Sequence, residues 1–260
     1  VTANQQARQY GRYVFGLGVI ALAVLGFVLG DFIPGQPPPK GFPDRTVLAY
    51  AAAAFMLVAG LGLAWRRTVV WAAGAVCVYY GLVVILLMDG RMIARNATTY
   101  LAYSNTAEQV AILAGALIVF AGHARIDPVL ARRLTRAGQL AFGVCAVLFG
   151  GAHFFYMNFT VPLVPRWLPP SQAFWAYATG VFHILGGLAI LTGVWARLAA
   201  ILLTVMYAAF TPLVHIPLFL ADRHNQGAWA ENATNLVLTG AAWVVAESLS
   251  RRRAPKIEAA

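Results

Sequence analysis

Three histidines, His153, His183 and His215, stand inside long apolar runs of this 260-residue chain. An ionisable ring in a segment otherwise suited to lipid costs free energy, so it marks a ligand, metal or proton site unless a polar neighbour explains it. His183 shares overlapping i, i+3, i+4 and i+7 positions with Thr179, Gly180, Gly186 and Gly187. Small residues at that spacing let helices approach closely, which turns the ring into a bundle rather than toward lipid. Its structural alternative is a neutral imidazole hydrogen-bonded to a neighbouring helix. His215 lies between Pro212 and Pro217, which leave the carbonyls of Ala208 and Leu213 without their usual donors. That ring either satisfies such a carbonyl or lines a site. His153 follows Gly150-Gly151-Ala152 and precedes Phe154-Phe155-Tyr156, where a snorkelling interfacial histidine is ordinary. His153 and His215 at similar depth would also suit the axial ligands of haem b or the donors of a metal, with the glycines leaving room for a macrocycle, although no spacing signature accompanies them. Glu108 and Glu231 each open the last apolar run of their half. Asn105 followed by Glu108 reads as a helix cap, and a carboxylate in a first turn suits the helix dipole; a proton relay is the functional alternative. There is no Walker loop, HExxH, dinucleotide fingerprint or nucleophile elbow.

The elements that must position these rings follow from composition. Hydrophobic residues make up 60% of the chain and charged ones only 11%, less than half the share usual in a soluble domain, so lipid is the solvent. A bilayer core of about 30 Å needs roughly 20 apolar helical residues. Spans are expected near Val14–Ile33, Val47–Trp65, Val69–Met88, Asn105–Ala121, Leu140–Met157, Ala173–Val194, Leu198–Leu220 and Asn232–Ala246. Arg8 and Arg12 precede the first run as in a signal peptide, but no cleavage site follows, and a first membrane span is the better reading. Cys77 and Cys145 read as small apolar residues.

Lys and Arg accumulate on the cytoplasmic side of a membrane. One alternate set of loops holds Arg8, Arg12, Arg66, Arg67, Arg125, Arg132, Arg133, Arg136, Arg197, Arg251, Arg252, Arg253 and Lys256 against Asp127, Glu247 and Glu258. The other holds Lys40, Arg45, Arg91, Arg95, Arg166 and Arg223 against Asp31, Asp44, Asp89, Glu108, Asp222 and Glu231. The whole net charge of +10 therefore lies on one side. Both termini are expected in the cytoplasm and the protein in the plasma (inner) membrane, with the basic balance reflecting topology rather than nucleic acid.

The halves echo each other. Ala49-Tyr50-Ala51, Phe55-Met56-Leu57 and Gly60-Leu61 recur as Ala176-Tyr177-Ala178, Phe182-His183-Ile184 and Gly187-Leu188, and Phe15-Gly16 as Phe142-Gly143. Leu113-x-Gly115-Ala116 echoes Leu238-x-Gly240-Ala241. The expected fold is all-α: a polytopic membrane bundle of eight transmembrane helices, built from two parallel four-helix repeats. Residues 1–122 would form a degenerate first repeat, 123–138 a basic cytoplasmic linker, and 139–260 the second repeat. His183 aligns with Met56 and His153 with Gly26, so the rings belong to the second half alone.

Residues 138–248 resemble the DoxX-type family of small four-helix membrane proteins. Pro165-x-Trp167-Leu168-Pro169, Phe174-Trp175-Ala176-Tyr177, Thr179-Gly180, His183-x-x-x-Gly187-Leu188-Ala189, Ala196-Arg197-x-Ala199-Ala200 and Leu213-x-His215-x-Pro217 carry the likeness, with Gly151-x-His153-Phe154 upstream and Trp229 downstream. The resemblance implies a four-helix membrane unit associated with redox systems. It leads to the expectation of a redox-linked membrane subunit that holds a quinone, haem or other small ligand near the outer leaflet through His153, His183, His215, Thr179 and Trp175. A non-catalytic scaffold of a larger membrane complex and a carrier of lipid or small solute are the alternatives. Expected partners are the bilayer and other complex subunits or further copies of the chain.

Overall fold

The computed structural model describes residues 10–36, 38–39 and 41–250, and every regular element among them is helical. Arg8, Lys40, Arg251, Arg252, Arg253, Lys256 and Glu258 of the charge argument lie outside these residues. Seven described helices are long and apolar enough to cross a membrane. They are α1 (Tyr10–Leu29), α2 (Arg45–Ala64), α3 (Val69–Arg95), α4 (Tyr100–His123), α5 (Pro128–Phe155), α7 (Gln172–Thr192) and α8 (Ala196–Ala221). A short helix, α6 (Met157–Leu163), follows α5, and a 25-residue helix, α9 (Gln226–Ser250), closes the chain. A continuous helix is what lipid demands, because each backbone N–H and C=O then finds its partner within the segment.

Two of these rods contain wide π turns. Tyr79–Asp89 forms one within α3, and Thr211–His215 forms the other within α8. In α8 the cause is legible: Pro212 has no N–H to give, and the Ile216 N–H reaches back five residues to the Thr211 carbonyl.

Helix α9 is the axis of the bundle, packing along α1, α8 and α4. Further contacts join α5 to α7 and α4, α1 to α2, α3 to α4 and α2, and α7 to α8. Lipid tails are as apolar as leucine, so association relies on close packing of small residues rather than on the hydrophobic effect. A Cβ at Gly18 would lie 2.4 Å from the Val237 Cα, and one at Gly240 would lie 2.3 Å from the Phe15 backbone nitrogen. Those two glycines bring α1 and α9 into backbone contact around the fully buried Phe15.

The segment 123–138 differs from a simple linker. Asp127 Oδ1 accepts from Val129 N and Leu130 N at 2.9 Å each, and Pro128 takes the first helical position, so residues from 128 onward already belong to α5. Arg136 then donates to the Ile190 and Leu191 carbonyls at 3.1 and 2.7 Å, capping the end of α7. The connecting loop shrinks to residues 124–127. The expected cap at Asn105 is also replaced: α4 begins at Tyr100, and Asn105 instead donates to the Gly35 carbonyl at 3.0 Å. At α9, Asn225 Oδ1 accepts from Ala228 N at 3.1 Å, which leaves Glu231 beyond the first turn.

Candidate functional site in the second half

Helices α5 and α7 meet through glycines on both sides. A Cβ at Gly187 would lie 2.5 Å from the Gly143 carbonyl oxygen, and one at Gly180 would lie 2.9 Å from the His153 Cβ. The bare backbone at Gly180 is what lets His153, in the last turn of α5, reach over α7. Its Nδ1 lies 3.2 Å from the Ala176 carbonyl and 3.2 Å from Thr179 Oγ1. One turn further along α7, His183 is 3% exposed and its Nδ1 lies 2.8 Å from the Thr179 carbonyl. A carbonyl only accepts, so both rings carry their proton on Nδ1, and in the neutral form each Nε2 presents a lone pair.

The two rings are in contact, their centroids 5.1 Å apart and tilted by 36°. His183 is also 5.4 Å from the Tyr207 ring and packs near Phe149 and Phe210. It faces the bundle interior as its small-residue face requires, although its hydrogen bond goes to its own helix rather than to a neighbour. Thr179 links the pair to a cleft: its hydroxyl donates to the Trp175 carbonyl at 2.8 Å while its oxygen faces His153.

The cleft, of about 620 Å³, lies between α7 and α8. Leu185, Ala189, Leu198, Leu202, Met206 and Phe210 line it, with Val164, Pro165 and Leu168 at one end and Trp195 at the other. Between Trp175 and Ala189 it runs for about 20 Å along α7, most of the depth of a bilayer core. Thr179 supplies the single hydroxyl among its lining residues, and Trp175 closes the same end with its indole N–H held by the Pro169 carbonyl at 2.7 Å.

His215 joins neither ring. No ring contact connects it with His153 or His183 among the described residues, and it sits half-buried in the π turn of α8 with Nδ1 unpartnered. Asn235 of α9 lies beside it and donates to the Tyr207 carbonyl and to Thr211 Oγ1, both at 2.9 Å. Hydrogen bonds and ring contacts therefore join His153, Thr179 and His183 into one cluster at the cleft, while the neighbour of His215 is Asn235. Asn235 and Tyr207 escaped the sequence reading. An amide in the middle of the last apolar run is the signal that could have found the first; a tyrosine in an apolar run has no such mark.

The haem expected between His153 and His215 lacks the room that the glycines beside His153 were to provide: a Cβ at Gly150 would meet Ile184 and the Gly180 carbonyl, one at Gly151 would meet the Tyr100 hydroxyl, and the His153 ring itself packs against His183. Tyr100 is held there by its bond to the Leu148 carbonyl at 2.8 Å. Among the described residues no group of three or more His, Cys, Asp and Glu is placed to hold a metal ion.

The site and bundle together define a multi-pass α-helical membrane protein with an apolar cleft and a histidine pair at one end. Residues 142–247 match the model of a family described as a domain of unknown function (DUF8561), a range that contains both histidines, the cleft and most of α9. No curated protein and no solved structure matches the chain.

Proposed function

We propose that the chain is a redox-linked membrane subunit of DoxX type whose second half holds an isoprenoid quinone in the cleft between α7 and α8. The observation that carries this reading is the cleft itself: a long apolar groove with one hydroxyl, Thr179, backed by His153 and His183. Its volume falls in the range of small-ligand sites, its lining suits an isoprenoid tail, and its polar end suits a head group with oxygens. The Thr179 hydroxyl has only to swing from the Trp175 carbonyl to donate to a quinone oxygen, and His153, against the Thr179 oxygen, keeps a lone pair on Nε2 for a proton. Reduction of quinone to quinol takes two electrons and two protons; the electrons come from a partner subunit, and the protons pass at this end of the cleft.

The surrounding architecture is read as eight spans in two parallel repeats, with both termini in the cytoplasm of a cell bounded by this plasma membrane. Helix α9 is long enough to cross, and the polar residues that lower its hydropathy, among them Thr234, Asn235 and Thr239, are buried against protein rather than lipid. Helix contacts fall into corresponding sets: α1 with α2 and α5 with α7, α1 with α9 and α5 with α4, α3 with α4 and α8 with α9, α2 with α3 and α7 with α8. Gly16 approaches the Gly60 carbonyl as Gly143 approaches that of Gly187, four positions separated by the same 127 residues as the sequence echoes. The family match to 142–247 falls within the second repeat.

The test is photolabelling of the purified protein with a short-tailed azidoquinone, followed by peptide mapping. Label should concentrate on 175–189 and 198–214 and be displaced by unlabelled ubiquinone or menaquinone. Label spread evenly over the lipid-facing helices, or displaced equally well by phospholipid, overturns the quinone reading in favour of an acyl chain or bulk lipid.

A further inference from the structure

Away from the cleft, Asp89 occupies the last position of the π stretch in α3. It is 0% exposed, and neither carboxylate oxygen has a hydrogen-bond partner. The Thr106 hydroxyl of α4 lies beside it but donates to the Ala102 carbonyl at 2.9 Å. Two residues along α4, Glu108 is within electrostatic reach of Asp89 and, across the α4–α9 contact, of Glu231. Exposure rises stepwise through the three: Asp89 is buried, Glu108 half-buried and Glu231 exposed.

None of these carboxyls forms a salt bridge among the described residues. Arg91 and Arg95 follow Asp89 on the same rod and are exposed, as is Arg223 ahead of α9. Other polar side chains of α4 in this region are engaged elsewhere, Ser104 with the Leu101 carbonyl, Asn105 with the Gly35 carbonyl and Gln109 with Gln36. An unpaired charge in an apolar interior is far costlier than a neutral acid, and carboxyls within reach of one another share a proton. No described group of side chains is arranged for a metal ion, so the proton is the ligand whose chemistry the cluster fits.

We propose that Asp89, Glu108 and Glu231 form a proton-binding site at the junction of α3, α4 and α9, with Glu231 as its aqueous entrance and Asp89 as its buried store. Glu231 takes a proton from water and passes it to Glu108, which passes it to Asp89. Each transfer runs through an intervening water, which takes the proton of one carboxyl O–H as it gives one of its own to the next carboxylate, so that every O–H bond broken is matched by one formed. The site is independent of what occupies the cleft.

Dicyclohexylcarbodiimide converts protonated carboxyls in apolar surroundings to stable N-acylureas, so it reads the proposed store directly. Full-length protein in phosphatidylcholine vesicles is treated between pH 6 and pH 9 and the modified residues are mapped by mass spectrometry. Label is expected on Asp89 or Glu108, falling at least tenfold across that range, and reduced by Asp89→Asn and by Glu108→Gln but not by Arg91→Gln. Absence of label from both residues throughout, label confined to Glu231, or label that does not change with pH overturns the proposal. The profile of the unsubstituted protein decides the matter even if a variant fails to fold.

Discussion

Replacing His183 with Met separates a site from a scaffold with one change. Met56, which the internal echo aligns with His183, is itself 4% exposed in a helix of the first half, so a thioether side chain of similar bulk is already compatible with such a position. The structure assigns His183 one hydrogen bond, from Nδ1 to the Thr179 carbonyl at 2.8 Å, plus ring contacts with His153, Tyr207, Phe149 and Phe210. Side-chain hydrogen bonds between membrane helices average about 0.6 kcal/mol, and this one, within a helix, should be no stronger. Flexible Met refills most of the ring contacts. The expected cost is therefore below about 1 kcal/mol, a shift in Tm of roughly 2–4 °C for a chain of this size. Quinone photolabelling in the cleft should nevertheless fall at least tenfold, because His153 loses the ring that braces it against Thr179. Thermal unfolding in detergent and label occupancy are measured on the same preparation. Unchanged occupancy would mean that the rings serve packing alone; a stability loss above about 3 kcal/mol would show that the substitution had damaged the core instead.

Four further outcomes are expected. Ala189→Trp places a ring in the cleft away from the histidines and should block quinone labelling while leaving helix content intact by circular dichroism. Gly240→Ala forces a Cβ to within 2.3 Å of the Phe15 backbone and should cost about 1–3 kcal/mol in a denaturant titration, whereas Gly81→Ala meets nothing within 4 Å and should be neutral or stabilising. Asp31 is held below the usual carboxylate range chiefly by its hydrogen bonds to Arg45, at 2.7 Å each. That contribution is complete above the unfolded value of about 3.9 and disappears as pH falls through the lower folded value, so Arg45→Ala should lower stability slightly at pH 7 and not at all in strong acid, the exposed setting keeping the effect small. Cysteines at Phe42 and Arg125 should be labelled by an impermeant maleimide from outside and inside the cell respectively, and the reverse pattern would reject the topology.

The sequence by itself determined the helices, because a bilayer leaves the backbone few alternatives and 20-residue apolar runs are hard to mistake. Each expected span overlaps a helix of the structure; seven of those helices are long and apolar enough to cross a membrane, and the eighth, α9, carries Asn235 and Thr239 buried inside the bundle. Sequence also singled out His183 as inward-facing, since glycine and threonine at helical spacing define the face that packs. Partners depended on the third dimension. That the His153 ring stands against His183 follows from Gly180 admitting it across the α5–α7 contact, a pairing that the spacing along either helix does not show. The same holds for Gly150 and Gly151, whose missing side chains are as consistent with an open cavity as with close contact. Only the positions of Ile184 and Tyr100 decided that the space is filled, because contact between distant segments is set by how whole helices lie against one another.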